Sequence, residues 1–87
     1  TNLYSFIMAA FPSIDVKQVR RRMKMTQEDF AWTYGIPLSA LRNWEQRRRN
    51  PDTMALAYLN IINMEPELTA KFIAHKREQN RARIAAS

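Results

Sequence analysis

Three polar side chains on one short predicted helix, residues 37–46, have the chemistry needed to read the edges of base pairs. They are Ser39, Arg42 and Asn43. An arginine can donate two hydrogen bonds to guanine, an asparagine can bind adenine at two points, and a serine can serve either base. Leu38 can contact a thymine methyl group. These residue types predict contacts with bases, and for Arg42 a phosphate contact or a solvated side chain is the alternative.

Positive charge follows this helix directly. Arg47, Arg48 and Arg49 stand where the chain leaves the helix, and arginines beside base-reading residues commonly contact phosphates. Gln27 begins an earlier predicted helix, and the free backbone N–H groups at a helix start favour an anion. The alternative for each of the three arginines is a solvated surface, because most charge runs are no more than that.

The whole chain is basic. Its 87 residues include 14 Lys/Arg and 8 Asp/Glu, which gives a formal net charge of +6 and a pI near 10.3. A pI above about 9 is typical of nucleic-acid binders when the charge lies on one face. Binding to RNA is less favoured than binding to DNA, since no stacking aromatic residues interrupt the arginine run.

Composition argues against several other classes of protein. There is no cysteine and only one histidine, so disulfides, thiolate metal sites and a conventional catalytic triad are not expected. No nucleophile is paired with a base, and we expect no enzyme activity, cofactor or metal. The longest apolar run near the N-terminus, residues 6–11, is well short of the ~18 residues of a membrane span. The absence of cysteine suits a reducing cytoplasm.

Hydrophobic spacing and capping signals predict an all-α protein of five or six short helices. The single glycine argues against hairpins and β-sandwiches. Helices are predicted over residues 3–11, 16–23, 27–34, 37–46 and 53–62, and from residue 65 to 76 or beyond. The chain divides into an apolar N-terminal segment (1–12), a helical domain (13–75) and a basic tail (76–87) that is expected to fray.

The second and third helices of the predicted domain have the pattern of a helix-turn-helix. Two steeply crossing helices need a small residue where they meet, and Ala31 stands there. The turn needs a positive φ, and Gly35 stands there. Leu41 and Trp44, three residues apart, give the second of the two helices its inward face. An ordinary corner of two helices with no role in DNA binding is the alternative.

Residues 25–52 resemble the helix-turn-helix of the phage-repressor/Cro (Xre) superfamily. More narrowly, residues 35–46, followed by arginines and Pro51, are similar to HigA-type antitoxins of bacterial toxin–antitoxin systems. Residues 14–17 and 65–68 are similar to the same family. The resemblance implies a repressor-like domain that binds double-stranded DNA.

The resemblance also implies roles for particular residues. The helix over residues 37–46 is expected to lie in the major groove, and Gln27 is expected to hold a DNA phosphate. Arg20 and Glu45 match a buried ion pair that ties the first helix of the domain to the recognition helix, so Arg20 is interpreted as structural. The family commonly has glycine where this chain has Arg47, which leaves the direction of that residue open.

The expected function is sequence-specific repression of transcription. From the resemblance we expect the antitoxin of a type II pair, which binds a small ribonuclease toxin and represses its own operon as a homodimer on a palindromic operator. The alternative is a stand-alone helix-turn-helix regulator without a toxin.

Two apolar stretches outside the motif have no assigned partner. Residues 54–62 are more apolar than one buried face requires, so they form either the core alone or also a dimer interface. Leu3, Phe6, Ile7 and Ala10 have helical spacing. That segment either packs on the domain, pairs with its copy in a dimer or binds a toxin.

Overall fold

The computed structural model describes residues 11–87, and five helices account for most of them. They are α1 (Val16–Arg22), α2 (Gln27–Tyr34), α3 (Leu38–Glu45), α4 (Thr53–Met64) and α5 (Pro66–Ala86). The described part of the chain contains no β-strand, and the predicted all-α class is confirmed. The helix predicted over residues 3–11 and most of the N-terminal segment 1–12 lie outside the described residues.

Side-chain caps begin three of the helices. Asp15, Thr26 and Asp52 each accept a hydrogen bond from the backbone N–H three residues later, at 2.8–3.1 Å. Such a cap satisfies one of the free donors at a helix start and stabilises the helix by about 1 kcal/mol. The starts of α1, α2 and α4 are therefore set by local chemistry.

One hydrophobic core holds the helices together, with α2 at its centre. Its buried members are Val16, Val19, Phe30, Ala31, Tyr34, Ile36, Leu41, Leu59 and Ile62. The rings of Phe30 and Tyr34 lie 4.9 Å apart, and neither Phe30 nor Leu41 is exposed to solvent at all. Since α3 packs against both α1 and α2, the core determines which face of α3 points outward.

The turn between α2 and α3 depends on Gly35. Its φ is +69°, in the left-handed region, and it ends α2. The next N–H, from Ile36, donates to the carbonyl of Ala31 at 2.9 Å, which closes the turn. A side chain is strained in this conformation, so glycine lets the chain reverse here at the lowest cost.

We expect Gly35→Ala to lower the free energy of unfolding by about 1–2 kcal/mol through backbone strain. A Cβ at this position would meet Ile73 at 3.7 Å, an ordinary contact, so a steric clash adds nothing. Gly35→Asn is the matched control. Because asparagine tolerates the left-handed region better than alanine, this variant should lose less free energy of unfolding than Gly35→Ala. Urea denaturation followed by circular dichroism measures both losses. Equal stability of the alanine variant and the wild type would contradict the argument.

The C-terminal tail, which is predicted to fray, is helical in the structure, where α5 continues to Ala86. Residues 78–86 are all exposed, so packing does not hold them in a helix. Side-chain pairs three residues apart support it instead: Lys76 with Gln79, Glu78 with Arg81, and Asn80 with Arg83. The alanines and arginines between these pairs are strong helix formers. Local propensity therefore extends α5 well beyond the core.

Candidate nucleic-acid interface

Helix α3 turns one face to the core and the other to solvent. Leu41 is fully buried, and Trp44 is half-buried against the core. The opposite face carries the polar candidates: Ser39 and Arg42 are exposed, and Asn43 is partly exposed. A helix with this division of surface can present polar groups to a partner while its apolar face stays packed.

Ser39 and Asn43 lie one helical turn apart, on the same edge of α3. Together with Arg49 and Asn50 from the loop after α3, they line a surface cleft of about 420 Å³. The backbone N–H groups of Arg48 and Arg49 donate to the carbonyl oxygen of Asn43, at 2.9 and 3.4 Å. These bonds hold the loop against the end of α3, so one predicted phosphate-binding arginine lies beside two predicted base-reading residues.

Arg42 lies on the other edge of α3 and is engaged within the protein. Its Nη2 donates to Oε1 of Glu28 at 3.1 Å, and its Nε donates to Oε1 of Gln27 at 3.4 Å. Both partners of the ion pair are exposed, Arg42 by 47% and Glu28 by 63%. An exposed pair contributes at most about 1 kcal/mol, so a stronger acceptor such as a phosphate can take the guanidinium away. Leu38, one turn earlier, is half-buried against the core.

Gln27 is the first residue of α2, and its side chain is held from two sides. Its Nε2 donates to Oε1 of Glu45 at 3.3 Å, while its Oε1 accepts from Arg42. The amide group therefore lies at the start of α2, where the first backbone N–H groups have no partner within the helix itself. This arrangement can offer an anion several donors at once.

The three arginines after α3 diverge. Arg47 has a φ of +58° and lines a second cleft, together with Ser13 and Asp15 at the start of α1. Arg49 lines the cleft beside Ser39, and Arg48 is exposed. The left-handed conformation of Arg47 is the one expected of a glycine at this position, and for an arginine it costs roughly 1 kcal/mol. The three arginines are consecutive in the sequence, but they do not form a single cluster in space.

A buried ion pair joins α1 to the last residue of α3. Arg20 Nε and Nη2 each donate to one carboxylate oxygen of Glu45 at 2.7 Å, and Arg20 Nη1 donates to the carbonyl of Met25 at 3.0 Å. The two side chains are only 12% and 3% exposed. With both carboxylate oxygens and the fork of the guanidinium engaged, the pair is geometrically specific and orients α3 relative to α1.

The pKa of Glu45 reflects two opposing effects. Burial by itself raises the pKa of the carboxyl, but the hydrogen bonds from Arg20 and Gln27 outweigh it, and the pKa lies below its usual value. The hydrogen bond with Glu45 in turn raises the pKa of Arg20. Glu45 is therefore ionised at neutral pH although it is buried.

Two contacts beside this surface have no counterpart in the predicted motif. Glu28 pairs with Arg42, and the guanidinium of Arg77, from α5, stacks on the exposed ring of Trp32 at 3.9 Å. Each contact joins residues from different helices that are far apart in the chain. Neither residue spacing nor composition contains a signal for such a pair.

Neither metal chemistry nor a membrane span is suggested by the described residues. Within residues 11–87, no cluster of three or more histidine, cysteine or acidic side chains is arranged to hold a metal ion. None of the helices in this range combines the length and the hydropathy needed to cross a membrane.

Comparisons with known proteins agree with this geometry. No protein-family model matches the chain. It is 25% identical over 59 residues to an uncharacterized HTH-type transcriptional regulator, YiaG, of Escherichia coli strain K12, and equally so to the same-named protein of strain O157:H7. The match covers 68% of this chain, which spans 62% of the length of those curated relatives.

A solved structure is more similar. It is the crystal structure of a helix-turn-helix XRE-family-like protein from Agrobacterium tumefaciens, and it superposes with a TM-score of 0.67. The two sequences are 49% identical, and the match covers 70% of this chain and 98% of that one. With the same fold and nearly half of the aligned residues in common, the chain belongs to the XRE family of helix-turn-helix proteins.

Proposed function

We propose that this protein is a sequence-specific DNA-binding transcriptional regulator that lays α3 in the major groove. The outward edge of α3 carries the proposal: Ser39 and Asn43 share one cleft with Arg49. Side chains that can read bases and one that can bind a phosphate share this cleft, which supports a helix that lies in the major groove. The curated relatives, which are named as transcriptional regulators, support the same function.

The proposed contacts divide into two sets. Ser39, Asn43, Arg42 and Leu38 reach base edges, and Gln27, Arg47, Arg48 and Arg49 bind phosphates. Arg42 exchanges Glu28 for DNA on binding, since their exposed ion pair is weak. Leu38 contributes the exposed part of a side chain that is otherwise packed against the core. Arg20 and Glu45 touch no DNA and keep α3 at its angle.

The regulator is proposed to act as a homodimer on a palindromic operator. Two-fold symmetric dimers of this kind read half-sites about 34–36 Å apart. Leu68 and Phe72, one turn apart on α5, are 64% and 58% exposed. Neighbouring apolar side chains at a surface favour association, and this pair is our candidate for the contact between two copies.

A narrower proposal is that the protein is the antitoxin of a type II toxin–antitoxin pair and represses its own operon in the cytoplasm. It rests on the resemblance of residues 35–46 and 65–68 to HigA-type antitoxins. An open reading frame of toxin size next to this gene, whose product co-purifies with the chain, would support it. A stand-alone regulator would show neither.

Binding to the DNA upstream of its own gene tests the main proposal. Binding to that fragment and to a shuffled fragment of equal composition is measured at about 50 and 200 mM salt, since phosphate contacts make affinity fall steeply with salt. Tight binding to the native fragment alone supports an operator-reading regulator. Equal and equally salt-dependent binding to both fragments would mean that only the basic surface is at work.

Removal of Arg49 should weaken binding to both DNA fragments alike. Each phosphate contact contributes about 0.9 to the slope of log K against log salt, so Arg49→Ala should lower that slope by about 0.9 for each protomer bound. Arg83→Ala, in the exposed last turns of α5, removes the same charge and is the control. If both variants lose affinity equally, net charge rather than a contact of Arg49 is responsible.

A further inference from the structure

Helix α4 carries an apolar stripe on the side that faces away from the core. Its core side is buried through Leu59 and Ile62. The α4 stripe consists of Met54, Ala57, Ile61 and Met64. Their three-four-three spacing places them on one helical face. Met54, Ile61 and Met64 are 83%, 53% and 77% exposed, so nothing within residues 11–87 covers this face.

The first described residues are attached to the border of the α4 stripe. The side-chain amide of Asn60 donates to the carbonyl of Pro12 at 3.0 Å and to the carbonyl of Leu56, in its own helix, at 2.9 Å. Asn60 precedes Ile61, which belongs to the stripe. The chain that precedes Pro12 therefore starts beside the exposed apolar face.

Residues 1–10 have a composition suited to that face. They contain no Lys, Arg, Asp or Glu, whereas a quarter of the whole chain is charged. The apolar side chains Leu3, Phe6, Ile7 and Ala10 recur at the spacing of one helical face. From Leu3 to Ala10 a helix would rise about 11 Å, and the stripe, whose first and last residues are ten positions apart on α4, rises about 15 Å and can accept it.

We propose that residues 1–10 pack on the α4 stripe of their own chain and cover it. The tether favours this occupant over a second copy of the protein. Pro12 is hydrogen-bonded to Asn60 beside the stripe, and residues 1–10 are joined to it through Phe11. Their effective concentration at the stripe is therefore in the millimolar range, far above that of a free partner. A dimer then uses other surface, for which Leu68 and Phe72 remain.

Engineered disulfides in the 87-residue chain test the proposal without background, since these residues include no cysteine. Phe6→Cys and Ile7→Cys are each combined with Ile61→Cys and with Met64→Cys. A disulfide forms only when the two Cβ atoms come within about 3.5–4.5 Å, so four pairs sample the unknown register. The control combines Ile7→Cys with Ile84→Cys, in the last turns of α5.

At least one of the four pairs is expected to form a disulfide within a single chain at least tenfold faster than the control pair. Non-reducing denaturing electrophoresis distinguishes this product from one that links two chains. Links formed between chains would overturn the proposal in favour of a second copy as the occupant. So would the absence of any pair that reacts faster than the control, provided that the reduced variants have the circular dichroism of the wild type.

A second measurement does not depend on register. If residues 1–10 cover the stripe, Ile61→Asp in the 87-residue chain places a charge in a buried contact and should lower the melting temperature. Ile84→Asp, at a position that is 63% exposed on α5, should leave it within about 2 °C of the wild type, since exposed substitutions rarely change stability much. Equal melting temperatures for the two variants would overturn the proposal.

Discussion

Arg20→Ala should lower the free energy of unfolding by about 3–5 kcal/mol, the usual cost of breaking a buried ion pair from one side. The substitution leaves Glu45, which is 3% exposed, without both hydrogen bonds from Arg20 and with only the longer one from Gln27. It also removes the donor to the carbonyl of Met25. In a domain of this size each kcal/mol lowers the melting temperature by about 4–8 °C, so thermal denaturation followed by circular dichroism detects the loss readily.

Arg21→Ala is the matched control for this substitution. Arg21 is the next residue of α1 and is exposed, so its removal should change stability by no more than about 0.5 kcal/mol. If Arg20→Ala has the same melting temperature as the wild type, the ion pair between Arg20 and Glu45 does not hold α3 in place. If both variants lose the same stability, the loss reflects α1 in general and not the contact with Glu45.

The response of stability to pH should have opposite signs in the wild type and in Arg20→Ala. In the folded wild type the pKa of Glu45 is lowered below its ordinary value of 4.5. Its contribution to stability is therefore present above pH 4.5 and is lost as the pH falls through the folded pKa. Without Arg20, burial dominates and raises the pKa of Glu45, so the variant should gain stability as the pH is lowered from neutral toward 4.5. Urea denaturation between pH 4 and 7 separates the two cases.

Asn43→Ala should remove most of the preference for the operator over shuffled DNA. A two-point contact of asparagine with adenine contributes about 1–3 kcal/mol of discrimination, and a dimer on a palindrome makes the contact twice. A loss of about 2–6 kcal/mol in total is at least roughly 30-fold in relative affinity. Asn43 is half-exposed on α3 and belongs to no buried cluster, so the variant should fold as the wild type does.

Competition binding with the two DNA fragments measures this effect, and Asn80→Ala on α5 is the control. In the contacts described above, the side chain of Asn80 interacts only with Arg83 of its own helix. Its removal should therefore leave the preference for the operator over shuffled DNA unchanged. Equal losses of affinity on both fragments would place Asn43 at the DNA backbone. An unchanged preference would move base reading to other residues of α3.

Much of the fold could be predicted from the sequence because its signals are local. Thr26 caps α2 and Gly35 ends it, and both roles depend only on residues within one turn. The spacing of Leu41 and Trp44 likewise indicates which face of α3 is inward. The sequence left the extent of α5 beyond residue 76 open, because no apolar stripe marks that part of the helix and exposed side-chain pairs support it instead.

The sequence by itself determined the helices, their caps, the turn at Gly35 and the set of polar side chains on α3, since backbone preferences and helical periodicity act over a few residues. Only the tertiary structure decided how those side chains are grouped. It separates Arg42, paired with Glu28, from Asn43, which shares its cleft with Arg49. Such groupings follow from how α2, α3 and the loop after α3 pack together. Packing brings together residues that are far apart in the sequence, and their spacing in the sequence does not predict the contact.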